Sequence, residues 1–156
     1  MDVLLDIENT VIDDLFGCNW LVENCEKIKS FIEKNNVRCV HIYTWGWKTP
    51  DETDPDIVNA IYEKIGVNRS QRGWVLTKES SVDYCINAGY IKEEDKERAL
   101  LPGMMNIEFG INKTLAFLFM TRQQRNEGEK FVLIDDTTET DFAADKNAIT
   151  INPKDL

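Results

Sequence analysis

Residues 1–10 read MDVLLDIENT, and residues 130–136 read KFVLIDD. Each is a short apolar run that ends at once in carboxylates, Asp6 and Glu8 in the first case and Asp135 and Asp136 in the second. A four- to six-residue apolar run bounded by polar residues is the signature of a buried strand. Strands of this kind with acids at their ends place charge at one edge of a sheet. Between them lie residues 37–44 (VRCVHIYT) and 73–77 (GWVLT), and after them 148–152 (AITIN), all rich in β-branched or aromatic residues.

Helical periodicity fills the gaps. Residues 19–35 carry Leu21, Cys25, Ile28 and Ile32 on one face, with Asn19 placed to cap the helix. A second helix is expected from Pro55, with Ile57, Ile61 and Ile65 in register and proline in its first turn. A third is expected from Lys113 to about residue 126, with Leu115, Leu118, Phe119 and Arg122 along one side. The stretch 78–112 is less regular; segments 80–88 and 93–100 read as short helices closed by Pro102-Gly103. Strands alternating with helices predict an α/β fold, a three-layer doubly wound parallel sheet formed by residues 1–156 as one domain, with 78–112 as a small helical lid.

Bulk properties restrict the function. The chain has 156 residues and a formal charge of −10, with 42% apolar and 29% charged residues and a pI near 4.6. Such a surface repels a polyphosphate backbone, so nucleic acid is a poor partner. The four cysteines show no CxxC or CxxH spacing, no apolar stretch approaches the ~20 residues of a membrane span, and the first residues lack a signal-peptide pattern. A cytoplasmic protein with reduced thiols and no membrane partner is expected. No sequence feature defines an oligomeric state.

In a parallel sheet, ligands bind outside the carboxyl ends of the strands. Asp6, Glu8, Thr44, Asp135 and Asp136 all stand at such ends, with Asp141 shortly after, and Lys113 opens the helix before the last acid pair. Carboxylates converging on one crevice repel unless a cation lies between them, and an all-oxygen set favours Mg²⁺ over Zn²⁺.

This order resembles the haloacid dehalogenase-like hydrolase superfamily. VLLDIENT is similar to its first motif (Asp6, Glu8, Thr10), CVHIYT to its second (Thr44), Lys113 to its third, and FVLIDDTTETD to its fourth. The resemblance implies a Mg²⁺-dependent phosphatase acting on a small phosphomonoester. In it Asp6 is the nucleophile that becomes a phospho-aspartyl group, and Glu8 is the acid that protonates the leaving oxygen. Thr44 and Lys113 bind phosphoryl oxygens, and Thr10 contributes to substrate binding. The metal is held by Asp6, the backbone carbonyl of Glu8, and Asp136 or Asp135. The family usually has Asp where this chain has Glu8; the enolase-phosphatase branch is similar in carrying Glu there. Asp135 stands where many relatives have Gly. Lys78, after the strand at 73–77, is the alternative for the motif lysine, although Lys113 lies a suitable 22 positions before Asp135.

Other residues admit two readings. Trp45 and Trp47 either stack on a base, making the substrate a nucleotide held between them and an underside of Met104, Met105 and Phe109, or belong to the core. His41, inside a strand, reads as packed, and the run at 93–97 (EEDKE) as a solvated helix face. Two rival functions use the same residues differently. A metal-dependent ribonuclease of the NYN/PIN type is suggested by DIEN, with Asn9 and Asp83 as added site residues. A non-catalytic binding or inhibitory protein on the same scaffold is the other. A receiver domain is disfavoured, because its acid pair would come first in the chain.

Overall fold

The computed structural model describes residues 1–124, 128–137 and 146–156. Five strands, β1 (Asp2–Leu5), β2 (Cys39–Tyr43), β3 (Arg72–Leu76), β4 (Phe131–Ile134) and β5 (Ala148–Ile151), form one sheet in the order β3-β2-β1-β4-β5. Every pairing is parallel. The helices are α1 (Val22–Lys34), α2 (Pro55–Lys64), α3 (Lys78–Asn87), α4 (Lys96–Leu100), α5 (Met104–Ile107) and α6 (Lys113–Gln124). No helix among the described residues is long and apolar enough to cross a membrane.

Side-chain alternation sorts the sheet into two faces. Val3, Leu5, Val40, Ile42, Val132 and Ile134 share a core with Ile28 and Ile32 of α1 and with Val58, Ile61 and Tyr62 of α2. Leu4, Tyr43 and Leu133, from the alternate positions, pack against Phe117, Leu118 and Met120 of α6. Helices therefore cover both faces in an α/β sandwich. The layout follows from chain direction: β1, β2 and β3 step one way with crossovers on one face. The return to β4 runs the other way, and right-handed crossover puts its helices on the opposite face.

The stretch 78–112 joins this second layer. Val82, Cys85, Ala99, Leu100, Met105 and Ile111 share a core with Ala116 of α6. Met105 is thus core, and Phe109 packs against the same cluster. Helix α6 is apolar on two sides, because Leu115 and Phe119 meet that cluster while Phe117 and Met120 meet the sheet; Arg122, expected on the packed side, is exposed.

Two local expectations are corrected. Helix α1 begins at Val22 with no side-chain cap; Asn19 instead donates from its backbone and its amide to Asp13, both at 2.8 Å. Strand β1, expected over residues 2–7, ends at Leu5, so Asp6 is the first residue past the strand.

His41 is packed, as its position in a strand implies, and it has a definite structural task. The register between β2 and β3 shifts between Val40 and Ile42. The Trp74 backbone N–H donates to His41 Nδ1 at 3.0 Å, replacing a ladder acceptor. His41 Nε2 then faces Asp2 Oδ2 at 3.3 Å, and Arg38 donates to the same carboxylate at 2.8 and 2.9 Å. Burial would raise the Asp2 pKa, but hydrogen bonds from Arg38 and His41 overcome it and hold the carboxyl below its usual range. A depressed folded-state pKa stabilises the fold above the unfolded value of about 3.9, and that stabilisation is lost as pH falls through the folded value. We therefore expect Asp2→Asn to melt below wild type at neutral pH, with the two melting curves converging as pH drops under about 4. A gap of constant size across that range would remove the linkage.

Candidate functional site

Strand register builds the site. Leu4 pairs with Leu133 and Leu5 with Ile134, so one residue further along Asp6 and Asp135 stand side by side, with strands about 4.8 Å apart. The Asp6 N–H donates to the Ile134 carbonyl at 3.0 Å, which carries the ladder past the end of the strand. Both acids continue the alternation that puts Leu4 and Leu133 on the second face, where α6 begins. Asn112 Oδ1 caps α6 by accepting from the Leu115 N–H at 2.8 Å. Lys113, at the first turn, reaches back between the two acids.

The Lys113 ammonium hydrogen-bonds Asp6 Oδ1 in a very short contact and lies 2.9 Å from Asp135 Oδ2. It also lies 5.2 Å from the centroid of the Tyr43 ring, and the Tyr43 hydroxyl donates to the Lys113 carbonyl at 3.1 Å. Oxygens of Asp6, Asp135 and Asp136 all lie within 4.8 Å of one another. Three carboxylates and one ammonium leave this cluster short of positive charge.

Thr10 ties the two acid-bearing segments together. The chain after β1 makes a tight turn in which Thr10 and Val11 both donate to the Ile7 carbonyl. Asn9 takes a left-handed φ of 58°, which its short polar side chain tolerates. The turn brings the fully buried Thr10 back, so that its hydroxyl donates to Asp6 Oδ2 at 3.1 Å and accepts from the Asp136 N–H at 3.2 Å. Thr10 therefore contacts the acids themselves.

Titration follows this geometry. Burial pushes the Asp6 carboxyl up to about 6 against the pull of Lys113, with Asp135 adding to the rise. Burial also acts on Asp135, but Lys113 and the Thr137 N–H and hydroxyl outweigh it, and this carboxyl is lowered. Asp136 is raised by burial and by its neighbour Asp135.

A divalent cation fits these residues. Asp135 Oδ2 is buried, with Lys113 2.9 Å away as its charge partner. Three carboxylates together, without sulfur or imidazole, are a donor set that could hold a hard, oxygen-preferring metal ion.

The remaining expected residues have partners of their own. Thr44, at the end of β2 and 1% exposed, accepts the Gly46 N–H at 3.0 Å and keeps its own hydrogen to donate. Glu8 is absent from the carboxylate cluster; its Oε2 accepts the Leu15 N–H at 3.3 Å. Lys78 is buried but donates to the Leu100 and Leu101 carbonyls at 3.4 and 2.9 Å, which leaves Lys113 as the lysine at the acids.

Trp45 and Trp47 do not form a slot. The Thr44–Gly46 hydrogen bond bends the chain, so residues two apart separate. Trp47 is 6% exposed inside the α1–α2 core, whereas Trp45 packs with the helices of the other face, donating its Nε1–H to Ser81 at 3.1 Å. Asp83 lies on α3 and pairs with Lys96 at 2.8 Å, outside the carboxylate cluster. Asp141 lies outside the described residues.

Sequence reading missed Thr137 and Asn152. Thr137 holds Asp135 Oδ1 by N–H and hydroxyl at 2.9 and 2.8 Å, and Asn152 donates to the Asp136 carbonyl at 2.8 Å. A threonine directly after an acid pair was the available signal for the first; nothing marked the second. Compared with protein-family models, with curated proteins and with solved structures, the chain finds no significant match in any of the three.

Proposed function

We propose that this chain is a Mg²⁺-dependent phosphatase of the haloacid dehalogenase-like type, working on a small phosphomonoester through a phospho-aspartyl group on Asp6. The observation that carries the reading is the pairing of Asp6 with Asp135, with Lys113 between them and Asp136 completing the acid cluster. A lone buried carboxylate would be a poor nucleophile toward a phosphate dianion, because both are anionic. Held by Asp6, Asp135 and Asp136, Mg²⁺ would screen that repulsion.

The chain's own residues do the rest. An Asp6 carboxylate oxygen attacks phosphorus in line with the ester oxygen; the P–O ester bond breaks, and Glu8 gives its proton to the departing alkoxide. Glu8, now a carboxylate, takes a proton from water, and the resulting hydroxide attacks phosphorus and releases Asp6. The Lys113 ammonium and the Thr44 hydroxyl donate to phosphoryl oxygens as charge shifts onto them. Thr10 keeps the Asp6 carboxylate oriented. Among the described residues the site places no pair of rings for a base, so a nucleotide is not singled out among phosphomonoesters. The acidic charge and reduced thiols suit a cytoplasmic enzyme.

The test is Mg²⁺-dependent release of inorganic phosphate from a panel of aryl and alkyl phosphomonoesters. Wild type should be active and lose activity with EDTA. Glu8→Gln should fall about 10²–10⁴-fold on alkyl phosphates and far less on aryl phosphates, whose leaving groups need little protonation. Equal losses on both would remove Glu8 as the acid. Binding of Mg²⁺ without phosphate release from any panel member would leave a binding protein on this scaffold.

A further inference from the structure

Gly46 is the least conspicuous residue near the site, and its lack of a side chain has a specific steric cause. Its φ lies outside the left-handed region that several other glycines of the chain occupy, so no left-handed strain requires glycine here. Space is the constraint. A Cβ at position 46 would overlap Glu8 Oε1, stand 2.9 Å from Leu15 Cδ1 and meet Thr44 Oγ1 at 3.2 Å. The Gly46 N–H is at the same time held by Thr44 Oγ1 at 3.0 Å. The glycine is thus fixed against the end of β2, and Glu8 Oε1 lies in the volume a side chain would fill. The other Glu8 oxygen accepts the Leu15 N–H at 3.3 Å.

We propose that Gly46 and Glu8 are a size-matched pair: the absence of a Cβ at 46 makes the berth that the longer side chain at position 8 occupies beside Thr44. Gly46 is then a positioning residue for the proton donor. The proposal rests on the reading of Glu8 as that donor. It also explains how a glutamate is accommodated where an aspartate would stop one methylene short. The atoms that a Cβ meets first, Glu8 Oε1 and Leu15 Cδ1, are ends of flexible side chains. Gly46→Ala should therefore displace the Glu8 carboxylate and leave the fold intact.

Four proteins decide it: wild type, Gly46→Ala, Glu8→Asp, and the double variant. Two readouts are taken on each, phosphate release with Mg²⁺ from an alkyl and an aryl phosphate, and the amide resonance of Leu15. Gly46→Ala should lower kcat on the alkyl phosphate about a hundredfold, and on the aryl phosphate only several-fold. It should also move the Leu15 amide. Glu8→Asp withdraws the carboxylate from position 46, so Gly46→Ala should cost little more once Glu8→Asp is in place, and the two losses on the alkyl phosphate should be far from additive. Losses that simply add, or a Gly46→Ala loss equal on both substrates, overturn the pairing. So does a Leu15 amide that Gly46→Ala leaves unmoved, whatever the activity. If wild type releases no phosphate at all but the Leu15 amide moves, the pairing stands as a steric fact and the phosphatase reading fails.

Discussion

Asp6→Asn should lower Mg²⁺-dependent phosphate release by roughly four to six orders of magnitude, the scale on which loss of a nucleophile acts. Asparagine matches aspartate in shape, and Thr10 and Lys113 still flank it, but an amide oxygen does not attack phosphorus as an anion. The loss should come without unfolding. Burial raises the Asp6 carboxyl to about 6, above the unfolded value of about 3.9. A raised folded-state pKa means that this group favours the fold when protonated, and that the advantage is lost as pH climbs through 6. At pH 7.5 without Mg²⁺, Asp6→Asn should therefore melt no lower than wild type. Activity within tenfold of wild type, or a matching fall in melting temperature, would sink the assignment.

The second large effect is on stability. Lys113 is the one ammonium within reach of both Asp6 and Asp135 among the described residues. Lys113→Met keeps most of the side-chain volume and leaves buried carboxylates without their partner, which costs about 3–5 kcal/mol. At about 2–4 °C per kcal/mol for a chain of this size, the melting temperature should fall by roughly 6–20 °C at pH 8. Near pH 5 the difference should shrink, since Asp6 is then largely protonated even in wild type. Mg²⁺ at a hundred times its dissociation constant should return about 2.7 kcal/mol. Scanning calorimetry at the two pH values, with and without Mg²⁺, checks all three statements. A loss that ignores both pH and Mg²⁺ would mean that Lys113 serves packing alone.

The parallel sheet was legible because each of its strands is a compact apolar run, and two of them stop at acids. The convergence of Asp6, Asp135 and Lys113 could be read in outline for the same reason: period-two alternation and parallel register leave little choice about where the next residue goes. Trp47 could not be placed, since the bend at Gly46 lies beyond the strand, where alternation no longer applies. Asn19 was a fair cap candidate, but its backbone N–H and side-chain amide are both committed as donors to Asp13, and its side chain does not accept from the helix N–H groups. Gly46 carries no side-chain chemistry to notice, and its role emerges only once Glu8 lies against it in three dimensions.

Strand order has a consequence for the chain during its synthesis. β1 is made before the other four strands and sits at the centre of the sheet, flanked by β2 on one side and β4 on the other. Its second neighbour leaves the ribosome only after more than a hundred further residues, on the order of ten seconds at typical elongation rates. Until then an apolar strand has one open edge, even though α1 and α2 on one face and α3 to α6 on the other have already been made. Such a nascent chain exposes a sticky surface of the kind that chaperones bind. The same order means that Asp6 and Asp135 can meet only after β4 has been made, so the acidic centre is completed late, with β5 still to be added.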